Sequence, residues 1–276
     1  LLTRPRRGEP GAGHRTNRSL ATVGGMCGIV GYVGWPDTDG PAAGRAVEVV
    51  LAGLKRLEYR GYDSAGIAVV APGLDQVAVA KKAGKLTNLV AELARRPLPA
   101  ATAAIGHTRW ATHGGPTDTN AHPHLAAGGR LAVIHNGIIE NAAALREELA
   151  AADVAIVSQT DTEIAGHVLA REYLARADGD LAAAMRATAR LLRGTFTLLA
   201  VSVDHPDQVV GVRHDSPLVV GLGEGETYLG SDVAAFVGET RQALELGQDQ
   251  VVTITPQGAT VTDLAGNPVT PHAYQV

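Results

Sequence analysis

The stretch Met26-Cys27-Gly28-Ile29-Val30-Gly31-Tyr32-Val33 sets the chain's one cysteine directly after a methionine, at the head of a short apolar run. Its length, its β-branched residues and its lack of charge predict a buried strand from Cys27 to Val33. Removal of Met26 would leave Cys27 with a free α-amine. That amine has an unperturbed pKa of ~7.7–8.0, near working pH, against ~8.5 for the thiol. One residue would then carry both a nucleophile and a general base within reach of it. The competing reading is a buried cysteine acting as a small hydrophobe. Position alone does not separate the two.

Upstream, residues 1–25 carry five arginines against one acid, Glu9, with Pro5 and Pro10 and no apolar period. Three readings compete for this segment. A targeting peptide would be Arg-rich and acid-poor, but Pro and Gly break the amphipathic helix it needs. A functional basic arm is the second. The third, favoured here, is a disordered leader ahead of a true first residue at Met26. The expected organisation is therefore a leader with a processing methionine at 1–26, one domain at 27–250, and terminal strands running into a linker at 251–276.

Beyond the leader, nineteen basic side chains face twenty-seven acidic ones, and aromatics make up only 4% of the chain. An acidic, aromatic-poor body offers no footprint for nucleic acid or an anionic membrane. A single cysteine excludes an intramolecular disulfide and fits a reducing compartment. No apolar run approaches the ~18 residues of a membrane span, and no signal core is present. Cytoplasmic localisation is the default expectation. With 45% hydrophobic residues the chain can bury a large core built from Ala, Val, Leu and Ile.

Strand and helix patterns alternate from Cys27 onward. A helix follows Asp39-Gly40-Pro41, with Val47, Val50, Leu51 and Leu54 on one face. Strands are predicted at Ala65–Val70, Gln76–Lys81, Ala101–Trp110 and Leu131–Ile139. Helices are predicted at Asn141–Ala151, Asp161–Ala175 and Leu181–Leu192, the second opened by the capping-box pattern Thr160-Asp161-Thr162-Glu163. The last third reads as short strands at Thr195–Val203, Gln208–Val212, Leu218–Leu222, Thr227–Gly230, Gln250–Thr255 and Ala259–Asp263. Such strand groups separated by helices predict layered sheets with helices outside.

Several segments could carry chemistry. Gly106-His107-Thr108-Arg109-Trp110-Ala111-Thr112-His113-Gly114-Gly115 ends a strand and enters a loop, where Arg109 could clamp a carboxylate bidentately or form an ordinary ion pair. In His135-Asn136-Gly137, a side-chain amide beside a backbone N–H could supply two donors to one oxyanion; a plain Asn-Gly turn is the alternative. Asp161 stands in a helix's first turn, where the dipole alone favours an acid. His113, His122 and His124 match no zinc-ligand spacing and no cysteine joins them, so no metal is expected and they read as surface or loop histidines. Gly221-Leu222-Gly223-Glu224-Gly225-Glu226 lacks the third glycine of a dinucleotide fingerprint and reads as a turn; no cofactor is expected.

Taken together, these stretches resemble the class II glutamine amidotransferases, and within them the glutaminase half of the glucosamine-6-phosphate synthases. The resemblance rests on Met26 to Gly31, Leu57-Glu58-Tyr59-Arg60-Gly61-Tyr62-Asp63-Ser64-Ala65-Gly66, and His107 to Gly114. It extends through Asn120-Ala121-His122-Pro123-His124, His135-Asn136-Gly137-Ile138-Ile139-Glu140-Asn141 and Thr160 to Glu163. The Glu-Tyr-Arg-Gly-Tyr stretch and the Arg-Trp-Ala-Thr-His-Gly loop distinguish this group from the sister amidophosphoribosyltransferases. The resemblance implies an α+β fold, a four-layer α/β/β/α sandwich of the N-terminal-nucleophile hydrolase type.

It also implies roles. Cys27 attacks the side-chain amide of L-glutamine while its own α-amine moves the proton. Asn136 and Gly137 form the oxyanion hole. Arg109 holds the substrate α-carboxylate and Asp161 the α-ammonium. Thr112 and His113 lie on a loop that closes over the site, Trp110 gates the exit for ammonia, and Arg60 and Asp63 stand as supports behind the nucleophile. In the full-length relatives, two isomerase domains bind fructose 6-phosphate and use the ammonia to make glucosamine 6-phosphate; a homodimer is expected through that part.

Two departures from the family follow. Cys27 is not the first residue here, and an amide nitrogen cannot serve as its base. The isomerase domains are absent from these 276 residues. A glutamine-binding module with a permanently capped Cys27, the glutaminase of an amidophosphoribosyltransferase-like enzyme, and a free-standing glutaminase serving another acceptor stand as the alternatives.

Overall fold

The computed structural model describes residues 27–35, 45–111, 114–176 and 178–276. The leader expected at residues 1–26 lies outside them. Strand β1 (Gly28–Gly34) leads to helix α1 (Arg45–Arg56), β2 (Ser64–Val70), β3 (Ala78–Ala83), α2 (Leu86–Arg95) and β4 (Ala103–Arg109). After the short β5 (His124–Ala126) come β6 (Leu131–Ile139) and three helices, α3 (Ala142–Ala151), α4 (Asp161–Leu174) and α5 (Leu181–Leu191). The remainder is β7 (Gly194–Ser202), β8 (His205–His214), β9 (Val219–Leu222), β10 (Glu226–Gly230), β11 (Gln242–Glu245), β12 (Gln250–Thr255), β13 (Gly258–Asp263) and β14 (His272–Gln275). Among the described residues, no helix is long and apolar enough to cross a membrane.

These strands form two antiparallel sheets. One has eight strands in the order β14-β11-β9-β10-β1-β4-β2-β3; the other has six, β13-β12-β8-β7-β6-β5. Residues 251–276, expected as terminal strands and the start of a linker, supply β13, β14 and all but the first residue of β12, so they pair into both sheets.

Side chains alternate across a strand, and here both faces of each sheet are covered. Ile29 and Val33 of β1, Ala68 and Val70 of β2, and Ile105 of β4 face Ala132 and Ile134 of β6 and Leu199 and Val201 of β7, forming the core between the sheets. The intervening residues Val30, Tyr32, Ile67 and Val69 pack under α1 and α2, while Leu131, Val133 and Leu198 pack under α4 and α5. The result is a helix–sheet–sheet–helix sandwich of the α+β class. Double coverage explains why the central strands read as unbroken apolar runs although the sheets are antiparallel.

The buried row of α1 is Ala46, Val49, Val50, Gly53 and Leu54, whereas Val47 and Leu51 are only half-buried. The stripe that meets β1 and β4 is thus rotated from the one expected. Helix α2 escaped the sequence reading because it buries only Leu86 and Leu89 and its N-cap residue, Lys85, makes no side-chain cap bond. Strands β11 and β14 escaped it because they are four residues long and largely exposed, without a clean alternation.

Leu54 is fully buried between α1 and the eight-stranded sheet. Its truncation in Leu54→Ala is expected to lower unfolding free energy by ~2–5 kcal/mol, read from urea denaturation.

Candidate active site

The rows that face each other between the sheets stay apolar until one end of the sandwich, where they turn polar. Two residues before Ile29 stands Cys27; two and four after Ile105 stand His107 and Arg109; two after Ile134 stands Asn136. Strands β1 and β4 pair Ile29 with His107 and Gly28 with Thr108, so the same register brings Cys27 beside Arg109. A period of two therefore delivers a thiol, a guanidinium, an imidazole and an amide to one inter-sheet space.

That space is a cavity of about 290 Å³ whose walls include Cys27, Arg109, Trp110, Asn136, Gly137 and Asp161. Cys27 is half-buried. The Trp110 N–H donates to its sulfur at 3.1 Å. Burial is the largest influence on the thiol and pushes it above its ordinary value; the Trp110 N–H and the nearby Arg109 charge pull it back in part. At neutral pH the sulfur keeps its proton and needs a base to become a nucleophile.

Asn136 is nearly fully buried and donates from Nδ2 to the Cys27 carbonyl oxygen at 2.7 Å, while its Oδ1 lies 3.1 Å from Nε2 of His107. Gly137 has φ +128°, and a Cβ there would lie 1.9 Å from the Thr195 carbonyl oxygen, so no other residue fits this point of β6. Arg109 contacts the carbonyl oxygens of Gly114 and Gly115 at 3.3 and 3.4 Å. Burial lowers its pKa, against the opposing pull of Cys27, Asp161 and Asp63, and the guanidinium stays cationic. Asp161 is the first residue of α4; its carboxylate accepts from the Ile139 N–H at 2.9 Å and lies 3.7 Å from Nδ1 of His135.

Two supports stand behind this wall. Asp63 accepts from the Ala111 N–H at 2.8 Å, and its own N–H donates to the Arg109 carbonyl at 3.0 Å, so it holds the chain on both sides of Trp110. Tyr62 meets the Trp110 ring edge-on with centroids 5.3 Å apart. Arg60 donates to the carbonyl and hydroxyl oxygens of Ser231, and that hydroxyl accepts from the Ile29 N–H, two residues from Cys27. Thr112 and His113 lie outside the described residues, as does Met26.

Two expectations need correction. His122 and His124 are not surface or loop-exposed residues; both are almost fully buried, with the His122 ring, which lines the cavity, tilted against His107 at 4.2 Å and edge-on to His124 at 5.1 Å. Gly66 makes room for them, because a Cβ there would lie 2.1 Å from the His122 carbonyl oxygen. The cap of α4 also departs from a full capping box. Thr160 accepts from the Glu163 N–H, but the Glu163 carboxylate turns to the N–H groups of Val157 and Ser158. Sequence reasoning also missed His135, Thr195 and the Asp215-Ser216-Pro217 segment, all of which line the cavity. Their spacing carries no signal, since β6, β7 and the β8–β9 loop converge only in the fold.

Residues 107–238 match the glutamine amidotransferase domain family. Over 251 residues, 91% of its length, the chain is 61% identical to the glutamine–fructose-6-phosphate aminotransferase (isomerizing) of Leifsonia xyli subsp. xyli, and equally to that of Streptomyces coelicolor. It spans 39% of the length of these relatives. Among solved structures it resembles the glutamine phosphoribosylpyrophosphate amidotransferase of B. subtilis, with a TM-score of 0.69 and 23% identity, covering 88% of this chain and 50% of that one. An allosteric regulatory enzyme of purine biosynthesis aligns with a TM-score of 0.71 and 25% identity, over 87% of this chain and 50% of that one. The sandwich and its cysteine-headed first strand thus define a glutamine amidotransferase domain of the N-terminal-nucleophile type. Within that class, the chain is similar to the glutaminase part of the glutamine–fructose-6-phosphate aminotransferases.

The buried histidine cluster has a consequence for stability. Burial lowers His107 and His124 to about 3 and His122 well below the ordinary imidazole value. The unfolded chain takes up these protons near pH ~6.5, whereas the folded chain resists them until far lower pH. Across that window the unfolded state binds more protons, so stability falls as pH drops, by up to ~1.4 kcal/mol per pH unit for each histidine. Urea midpoints are expected to decline below about pH 6.5 and to level off above it. A midpoint that stayed constant down to about pH 5 would contradict this assignment.

Proposed function

We propose that Cys27, freed at its amino group by cleavage after Met26, hydrolyses L-glutamine to glutamate and ammonia through a thioester. The observation that carries this reading is a shared wall. Cys27, Asn136, Gly137, Arg109 and Asp161 face one small cavity, with Asn136 Nδ2 bonded to the Cys27 carbonyl. A cation and an anion in the same cavity suit the two ends of an amino acid: Arg109 the α-carboxylate, Asp161 the α-ammonium.

The α-amine takes the thiol proton as Sγ bonds to the side-chain amide carbon, and the carbonyl electrons move onto oxygen. An amide NH2 has two donors. One from Asn136 is spent on the Cys27 carbonyl, which leaves the other, with the Gly137 N–H, to oppose the new charge. The amine then passes its proton to the leaving nitrogen, the C–N bond breaks, and ammonia departs. Water attacks the thioester carbon and gives a proton to the amine; the C–S bond breaks and the sulfur is reprotonated. Trp110, held beside Tyr62 and Asp63, is assigned the gate for ammonia.

In a longer cytoplasmic protein of the kind its relatives represent, the ammonia would pass to isomerase domains holding fructose 6-phosphate and yield glucosamine 6-phosphate. Homodimerisation would run through those domains.

Incubation with a glutamine-like diazoketone followed by intact mass tests the nucleophile. Labelling at Cys27 is expected only in chains that begin with Cys27, and is lost in Cys27→Ala. A chain that keeps residues 1–26 is expected to lose glutaminase activity by ~10²–10⁴ in rate, the usual worth of a general base. Full activity in protein whose N-terminal sequencing reads Leu1 would refute the mechanism, and glutamine binding without labelling would favour a non-catalytic module.

Within active protein, Asn136→Ala is expected to lower kcat ~10²–10³-fold. Arg109→Lys should instead raise KM with a smaller change in kcat, because a lysine cannot grip a carboxylate bidentately. Steady-state glutamate release measures both.

A further inference from the structure

Asn136 can supply an N–H to the oxyanion only if its amide is turned the right way, and a flip would present oxygen to oxygen. Two main-chain carbonyls decide which way it faces. The Cys27 carbonyl oxygen can only accept, so the Asn136 atom 2.7 Å from it is the NH2 nitrogen. Oδ1 therefore points to the other side, where it lies 3.1 Å from Nε2 of His107. The same Nε2 lies 2.9 Å from the carbonyl oxygen of His135, which again can only accept. Two acceptors around one ring nitrogen require that it carry the proton. His107 is fully buried and, on the other side of its ring, Nδ1 has no hydrogen-bond partner among the described residues. A neutral imidazole has one proton, and it sits where both oxygens need it. Burial holds the ring neutral, at about 3, so this state persists across the working pH range. The remaining neighbour, Nδ1 of His122 at 3.2 Å from that nitrogen, must then present a lone pair rather than a second hydrogen.

We infer that His107 is the positioning residue of the oxyanion hole: its Nε2–H grips the side-chain oxygen of Asn136 and the main-chain oxygen of His135, and so locks the Asn136 NH2 toward Cys27. This rests on the glutaminase reading above. The ring touches no reacting atom. It acts through Asn136, as orienting groups behind a catalytic side chain commonly do.

A double-mutant cycle on the full chain, cut after Met26, tests it with glutaminase kinetics and thermal unfolding. Alone, His107→Leu is expected to lower kcat ~10–10²-fold with KM changed less than about threefold, since the interaction serves the transition state. In the Asn136→Ala background the same substitution is expected to cost less than about threefold more, because the group it orients is gone. His107→Gln, whose amide N–H reaches toward the same oxygens, is expected to recover most of the lost rate. Equal losses in both backgrounds, or a fully active His107→Leu, would overturn the inference.

If His107→Leu does not fold, nitrogen-15 NMR of labelled histidine in the unsubstituted chain still decides. The resonance missing from His107→Gln identifies the ring, which should report Nε2–H; an Nδ1–H form overturns the assignment. Should the unsubstituted chain itself release no glutamate, it is the glutaminase reading that fails, and the tautomer measurement stands apart from it.

Discussion

Hydrogen bonds join the two sheets at their polar end, and the one that reaches the cavity runs from Nδ2 of Asn136 on β6 to the carbonyl oxygen of Cys27 at the head of β1. Below it the inter-sheet space is filled by Ile29, Ile105, Ile134 and Leu199, with no polar atom among those side chains. Above it the space opens into the cavity. The apolar floor makes the sheets approach closely enough for that contact to form. In return, it fixes where Cys27 sits relative to the amide and glycine opposite. A nucleophile on a strand end held this way is more rigid than one on a loop, which is what an oxyanion hole with fixed donors demands.

The electrostatics of the cavity follow from its depth. Burial raises the Cys27 thiol despite the Arg109 charge and the Trp110 N–H. A thiol raised in this way is a poor nucleophile on its own. The proposed remedy is the α-amine of the same residue, a base that needs no further side chain and exists only once the peptide bond to Met26 is gone. The same burial keeps the histidines behind the cavity uncharged, so they serve as hydrogen-bonding and packing groups and not as rival bases. Lys81 shows the same economy. Its ammonium is caged by the carbonyl oxygens of Ala121 and Pro123 at 2.7 and 3.1 Å, which ties β3 to the segment carrying His122 and His124.

Much of the fold was legible because local pattern and burial agree. The strands predicted at Leu131–Ile139, opened by the apolar run Leu131–Ile134, and at Gln250–Thr255, built on Val251, Val252 and Ile254, form β6 and β12 with those limits. Helix α4 begins at Asp161 because Thr160 caps it. Legibility failed where an element is short or half exposed. His124–Ala126 is three residues long and becomes a strand only by pairing with β6, and α2 depends on two leucines meeting the sheet.

By itself the sequence determined which residue types could do the chemistry and where along the chain they stand: a lone cysteine opening a strand, an Arg-Trp loop, an Asn-Gly on a strand, an acid at a helix start. Those are local facts, written in period, capping and composition. Only the tertiary structure decided what meets what. It brought His107, 80 residues from Cys27 and 29 from Asn136, up behind the Asn136 amide, and it turned His122 and His124 from apparent loop histidines into a buried cluster. Such meetings depend on which strands neighbour and in which register, and a one-residue slip would turn each of these side chains to the opposite face.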